Sequence, residues 1–372
     1  MNGKYGNTII HTAIITVLAA LLSETILYSF TSMVALKSSI EVKDYQMSDF
    51  YSTVAQRSVA PQMSTNVVLV SVDGLDRDGI AAVKGIVDKA SPKAVGVDVY
   101  FEHSRPWPND SALVASMSTP NTVLAAVLMP DSSLITSYFC DEESLIDIGL
   151  ANLEAQTPMD VVRQYRRDYS VGDACCLTFA EALARVGGML DTIGDKDSEY
   201  INYIGHTFRC LTPELLLDSP EECSLAMQDK IVIIGDTGNM KDMHITPVGV
   251  MSGLHIQASI VETMVGGHRI RQSPIWLDWI LAIVSCATLV LLNIYLSRRS
   301  LSISKLLFRL AQLLLLYVYF MVGCKIFAEY NYCINFAPAM SMIAIGLLVY
   351  DIYFGLSSLY RKSILKFKNR KS

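Results

Sequence analysis

The sequence predicts an extracytoplasmic α/β domain, with a mostly parallel sheet and crossover helices, joined to four transmembrane α-helices. Three observations predict it. Four stretches are apolar for about the length that crosses a bilayer. Between the first and the second lies a long polar interval in which β-branched runs alternate with segments of helical period. Lys and Arg collect at those flanks of the apolar stretches that fall on one common side.

The apolar stretches are residues 9–36, 274–296, 306–327 and 334–356. Hydrophobic residues make up 51% of the chain and the mean hydropathy is +0.35, too apolar for a soluble protein and too polar for an all-helical transporter. Lys4 precedes the first stretch, Arg298, Arg299, Lys305 and Arg309 surround the junction of the second and third, and Arg361, Lys362, Lys366, Lys368, Arg370 and Lys371 follow the last. All fall inside if both termini are cytoplasmic. Trp276, Trp279, Tyr330 and Tyr332 then mark the outer interface, where amphipathic rings are favoured. The expected order is a cytoplasmic tail (1–8), span one (9–36), a stalk (37–65), the domain (66–272), spans two to four, and a basic cytoplasmic tail (357–372). A cleaved secretory signal is the alternative for the first stretch, since Ala19, Ala20 and Ser23 are small, but the apolar run continues to Leu36. The expected location is a bacterial inner membrane, crossed several times, with the domain on the periplasmic side.

Residues 37–63 are polar, contain Pro61 and lack a strong apolar period, which reads as the stalk. Residues 66–72 (NVVLVSV) form a continuous β-branched run of the kind buried on both faces of a parallel sheet. Residues 76–90 carry Ile80, Val83, Ile86 and Val87 at helical spacing, with acids in the first turn. A strand at 94–100 (AVGVDVY), a helix at 110–117 and a strand at 121–128 (NTVLAAVL) continue the alternation, and crossover helices between successive strands imply a parallel sheet. Further on, 148–153 and 161–169 read as strands, with antiparallel pairing open, 178–190 as a helix and 200–203 as a short strand. A buried strand at 230–235 (KIVIIG) precedes a glycine-containing loop, and a helix at 255–265 closes the domain.

Over residues 36–272 there are 18 Lys and Arg against 32 Asp and Glu, a balance of −14 against −6 for the whole chain. Such a domain repels nucleic acid and anionic lipid. It is either an ordinary soluble surface or one suited to a cationic ligand. Five of the eight cysteines lie in it: Cys140, Cys175, Cys176, Cys210 and Cys223. No Cys/His ligand spacing is present, which argues against zinc, and no metal or cofactor is expected. Cys210 with Cys223 is the first disulfide to expect, across one short helical segment, although spacing alone does not fix connectivity.

Asp73 and Asp98 fall at or near the carboxyl ends of predicted parallel strands, the edge where ligands gather in open α/β sheets. With Asp242 as a third carboxylate they could hold a cation. Alternatively, Asp73 opens the following turn through an Asx bond and Asp98 orders the loop after it. The loop 235–239 follows a strand directly and either cradles an anion on its N–H groups or is a structural turn. His255, at the start of the last domain helix, is a packing residue or a ligand and pH-sensing residue. In the spans, Glu24 and Lys325 are expected to pair, or each to reach the headgroups alone. No nucleophile elbow, zinc-protease motif or P-loop occurs, and no enzyme activity is expected.

The runs VVLVSVDG, AVGVDVYF, PNDSALVASM and DKIVIIGDTGNMKDMHITPVGVMSGLHIQASIVETMVGG, in this order, resemble the extracytoplasmic sensory domain family called CHASE2, over about residues 66–271. Gly235, Asp242, Thr246, Pro247, Gly253, His255 and Ala258 carry the most specific part of the resemblance. Two departures stand out. The family often has Asp-Gly followed by Arg in mid-domain, whereas Asp160, Val161, Val162 and Arg163 lack the glycine. Its members also usually continue into a cytoplasmic cyclase or kinase, and here the sequence reaches Ser372 with only a short basic tail after the last span.

The resemblance implies an extracytoplasmic sensor that takes an unknown small-molecule, ion or protein ligand and relays the signal to a separate cytoplasmic or membrane signalling partner. Homodimerisation is normal for such receptors, and the basic tail suits a partner or anionic membrane lipid. The alternative is a non-sensing structural or docking protein of the cell envelope.

Overall fold

A computed structural model describes residues 2–36, 46–104, 109–140, 146–154, 160–172, 174–189, 198–238, 240–297 and 302–369. The chain forms two compact units. One comprises Met1–Tyr51 with Arg271–Ser372, and the other Ser52–Ile270.

The chain opens with α1 (Asn2–Leu36) and α2 (Met47–Ser58) and then enters the α/β unit through β1 (Gln62–Ser71). There follow α3 (Arg77–Lys89), β2 (Ala94–Asp98), α4 (Asn109–Met117), β3 (Thr122–Leu128), β4 (Leu134–Ile135) and β5 (Asp147–Leu150). Two small antiparallel ribbons come next, built from β6 (Gln164–Tyr165), β7 (Asp168–Val171), β8 (Ala174–Leu177) and, after α5 (Phe179–Val186), β9 (Glu199–Tyr200). The unit continues with β10 (His206–Leu211), α6 (Pro213–Asp218), α7 (Pro220–Met227), β11 (Ile231–Gly235), the hairpin β12 (Met243–Thr246) and β13 (Gly249–Ser252), and α8 (Gly253–Val265).

Among the described residues β10, β1, β11, β2, β3 and β4 lie side by side in that order, with β5 also on β3. All the pairings are parallel except β3 with β4. Alternation along the central strands separates two cores. Val67, Leu69, Ile231 and Ile233 face α5 and α8, where they meet Phe179, Leu183, Leu254 and Val261. Val68, Val70, Val232 and Ile234 face the opposite side, against Val83 and Val87 of α3, Leu113 of α4 and Met227 of α7. Helices on both faces explain why the central strands read as unbroken apolar runs.

Several expectations are corrected. Residues 47–58, inside the expected stalk, are helical, and β1 begins at Gln62; residues 37–45 lie outside the described residues. Of the two segments left open to antiparallel pairing, 147–150 is parallel to β3, whereas 161–169 splits into β6 and the start of β7, both antiparallel to their partners. The helix expected at 178–190 is shorter, and β10 is a strand of the main sheet in a stretch for which the sequence predicts no element. Cys210 and Cys223 do not pair. Cys210 packs on the α5/α8 face and Cys223 is buried on the opposite face, so the sheet lies between the two thiols.

The other unit holds α1, β14 (Arg271–Gln272), α9 (Ile275–Ser297), α10 (Ser302–Tyr330), β15 (Tyr332–Cys333) and α11 (Ala337–Asn369), with β14 and β15 paired. Among the described residues four helical segments are long and apolar enough to cross a membrane: Thr8–Thr25, Ile275–Leu296, Phe308–Tyr330 and Ala337–Tyr360. The small residues Ala19, Ala282 and Ala339 are fully buried where α1, α9 and α11 meet, which lets the backbones approach. Polar side chains tie helix to helix: Ser23 Oγ lies 2.5 Å from Ser341 Oγ, and Gln312 Nε2 donates to the Ile343 carbonyl at 2.7 Å. The expected Glu24–Lys325 pair does not form among the described residues. Lys325 lies 3.8 Å from Glu329 on its own helix, and α1, which carries the exposed Glu24, packs on α9 and α11 rather than on α10. Arg309 and Asp351 form an ion pair between α10 and α11, at 3.3 Å.

Candidate functional site

The carboxyl ends of β1, β11 and β2 are in register, with Ser71 opposite Gly235 and Gly235 opposite Asp98. The chain leaves β1 and β2 towards α3 and α4 on one face, and leaves β11 towards α8 on the other. This divergence is a topological switch point, the place where open α/β sheets offer a crevice, and side chains just beyond the three strands gather there.

Asp73 is engaged there by the loop after β11. Its Oδ1 accepts the Thr237 amide and its Oδ2 the Thr237 hydroxyl, each at 2.7 Å, and its own amide donates to Ser71 Oγ at 3.2 Å. Burial works to raise its pKa, but hydrogen bonding with the side chains of Asp236, Thr237 and Ser71 and with the Thr237 amide outweighs it and holds the carboxyl below its ordinary value. The Gly238 amide donates to Asp236 at 2.9 Å. The glycine-containing loop therefore does cradle negative charge, and the charge is the chain's own. Asn239 lies outside the described residues.

Asp242 ends a short 3-10 turn (Met240–Asp242) and reaches the start of α8. Its Oδ2 accepts the Gly253 amide at 3.1 Å, and its Oδ1 lies 3.1 Å from His244 Nε2. A carboxylate there satisfies an orphan N–H of the first helical turn and faces the positive end of the helix dipole. A Cβ on residue 253 would stand 2.4 Å from Asp242 Oδ2, so only glycine fits beneath the carboxylate. Thr246 closes the hairpin between them by donating to the Gly249 carbonyl at 2.6 Å. Asp242, Thr246 and Gly253, which carry much of the family resemblance, are thus the residues that shape this hairpin.

Asp98 differs from the other carboxylates. It is half-buried, it makes no hydrogen bond among the described residues, and its pKa is pushed up to about 7 by burial first and by the charge of Asp242 second. At neutral pH it is therefore poised between its two protonation states. His255 shares a hydrogen bond with Ser252 Oγ at 2.8 Å through Nδ1, and burial pushes its pKa down. It sits as a packed, neutral imidazole.

The structure brings Asp98 and Asp242 into electrostatic contact, whereas Asp73 associates with Asp236 and Thr237 and His255 turns to Ser252. Among the described residues no group of three or more His, Cys, Asp or Glu is placed to hold a metal ion. Two contributors escaped the sequence reading. Asp236 sits in a loop read only for its glycines. Arg77, in the first turn of α3, donates to Asp110 at 2.7 Å and to the His103 carbonyl at 2.6 Å while lying over Phe101. It ties together the loops that border the crevice.

The model of the CHASE2 domain matches residues 20–294, which include the whole α/β unit, part of α1 and most of α9. No curated protein and no solved structure matches the chain.

Proposed function

Because the chain belongs to the CHASE2 domain family, we propose that it is a membrane-anchored extracytoplasmic sensor that relays its signal to a separate cytoplasmic or membrane signalling partner. The observation that carries this reading is the extent of the family match, which takes in a sensory-type domain together with parts of the apolar helices on either side of it. The placement of Lys and Arg supports a domain on the periplasmic side of a bacterial inner membrane, with both termini cytoplasmic. The switch-point crevice around Asp98 supports a binding role for the domain, for a small molecule, an ion or a protein, and we assign it no catalytic one. The basic end of α11, which runs on as a helix to Asn369 past the candidate span, supports a contact with the partner or with anionic lipid.

The engagement of Asp73, Asp242 and His255 by the chain's own groups favours a second reading, a non-sensing docking protein of the envelope. One experiment on the full-length protein in native membranes separates the readings. A ligand screen that raises the melting temperature saturably, and loses this effect in D98N, supports the sensor. Stoichiometric crosslinking to one envelope protein without any such ligand supports the docking protein. Protease added to spheroplasts must digest the α/β domain, and a tag after Ser372 must stay protected; the reverse pattern removes both readings.

A further inference from the structure

The segment that leaves the α/β domain follows the end of α8 opposite to the one that Asp242 caps, and a short stretch of chain holds it there. α8 ends at Val265, Gly266 caps it, and Gly267 adopts φ +70°, a left-handed conformation that glycine takes without strain. Beyond this turn, side chains of the 199–202 stretch fasten the exit residues. Asn202 Nδ2 donates to the His268 carbonyl at 2.8 Å, and Arg269 Nε lies 3.7 Å from Glu199 Oε2. The Asn202 amide also donates to Thr263 Oγ1 at 3.0 Å, so the same stretch grips the last turn of α8.

Glu199 is a node with more than one partner. Tyr165 donates its hydroxyl to it at 3.0 Å, Arg167 Nη2 lies 3.2 Å away, and Arg167 in turn lies 3.8 Å from the buried Glu181, which Arg185 binds at 2.8 Å. This makes the fastening asymmetric. Were Arg269 to leave, Glu199 would keep Arg167 and Tyr165, and no uncompensated charge would remain inside the domain. Arg269, half-buried and next to the exposed His268, would find its compensation in water.

We propose that residues 266–270 are a hinged strap, with Gly266 and Gly267 as the hinge and Glu199 and Asn202 as the latch, able to swing free while the domain stays folded. Under the sensor reading, on which this role rests, release of the strap is the step that changes the course of the chain into α9.

The test uses the full-length protein in lipid nanodiscs and needs no ligand. In R269Q, amide hydrogen exchange at residues 266–270 is expected to quicken by about twofold to fivefold, the loss of a partly exposed ion pair, while exchange in β11 stays as in wild type. R269K, which keeps the charge, is expected to restore most of the protection. Unchanged exchange at 266–270 in R269Q, equal acceleration in β11, or R269K behaving like R269Q would each overturn the latch. Those results would leave the sensor reading standing, since that reading is tested by ligand stabilisation and topology.

Discussion

Asp242 accepts the Gly253 amide at 3.1 Å and so closes the loop and hairpin that lead from β11 into α8. The contact gives the helix a cap from eleven residues upstream, a role usually filled by the residue just before the first turn; here Ser252 holds that position without a capping side-chain bond. D242A is expected to cost about 1 kcal/mol of domain stability, read as a lower melting temperature. G253A should cost at least as much, because its new methyl group would displace the carboxylate.

Asp98 sets a pH dependence of the opposite sign to that of an ordinary paired carboxylate. Its pKa rises from 3.8 to about 7 on folding, so the native state holds the proton where the unfolded chain has lost it. The associated stability is fully present below the unfolded value and is lost as pH rises through about 7. D98N cannot ionise, so its stability relative to wild type should grow by on the order of 2–4 kcal/mol between pH 4 and pH 8. D242N should lower the Asp98 pKa by removing the nearby charge. Denaturation curves of the three proteins across this range check both statements, and a D98N difference that is flat with pH would contradict the first.

The central strands were legible because burial on both faces leaves only apolar β-branched residues at successive positions, as in Ile231–Gly235. β10 was not, since it is an edge strand bonded on one side to β1, and its partly exposed face carries Thr207 and Arg209. α2 was hidden for another reason. Its buried positions are Ser48, Asp49, Tyr51, Ser52 and Ala55, three of the five polar, which shows no apolar period. In the crevice, the strand-end positions of Asp73 and Asp98 could be read from the sequence, but their partners could not. Thr237 lies 164 residues from Asp73, and nothing local announces the meeting. Likewise, of the bonds around Glu199 and Glu181, only Arg185 with Glu181 has a spacing that a helix makes readable.

The thiols offer a direct check of sheet topology. With Cys210 and Cys223 on opposite faces, non-reducing peptide mapping of the purified protein should recover both as free thiols. Under native conditions the exposed Cys175 should take up a maleimide faster than any of the buried Cys223, Cys286, Cys324 and Cys333. A linked 210–223 peptide would mean that the edge of the sheet is built differently.

Within the helical unit, Lys325 and Glu24 should behave independently. A double-mutant cycle of E24Q and K325Q is expected to give no coupling, because Lys325 already has Glu329 within reach. Q312L, in contrast, removes a buried bond between α10 and α11 and should lower bilayer stability by about 0.6–1.7 kcal/mol. Steric-trap unfolding in bicelles measures both.

α8 is enclosed on nearly every side: of its thirteen residues only His255 and Val265 escape full burial. Turning about its own axis would tear Gln257 from the Ala151 carbonyl and Glu262 from Ser64 and Asn66. Gliding lengthwise would break the same bonds, and with them the Asp242 cap at one tip and the Asn202 grip at the other. Such a rod, about 20 Å long, is locked along its whole length, so whatever displaces one tip must carry the other with it.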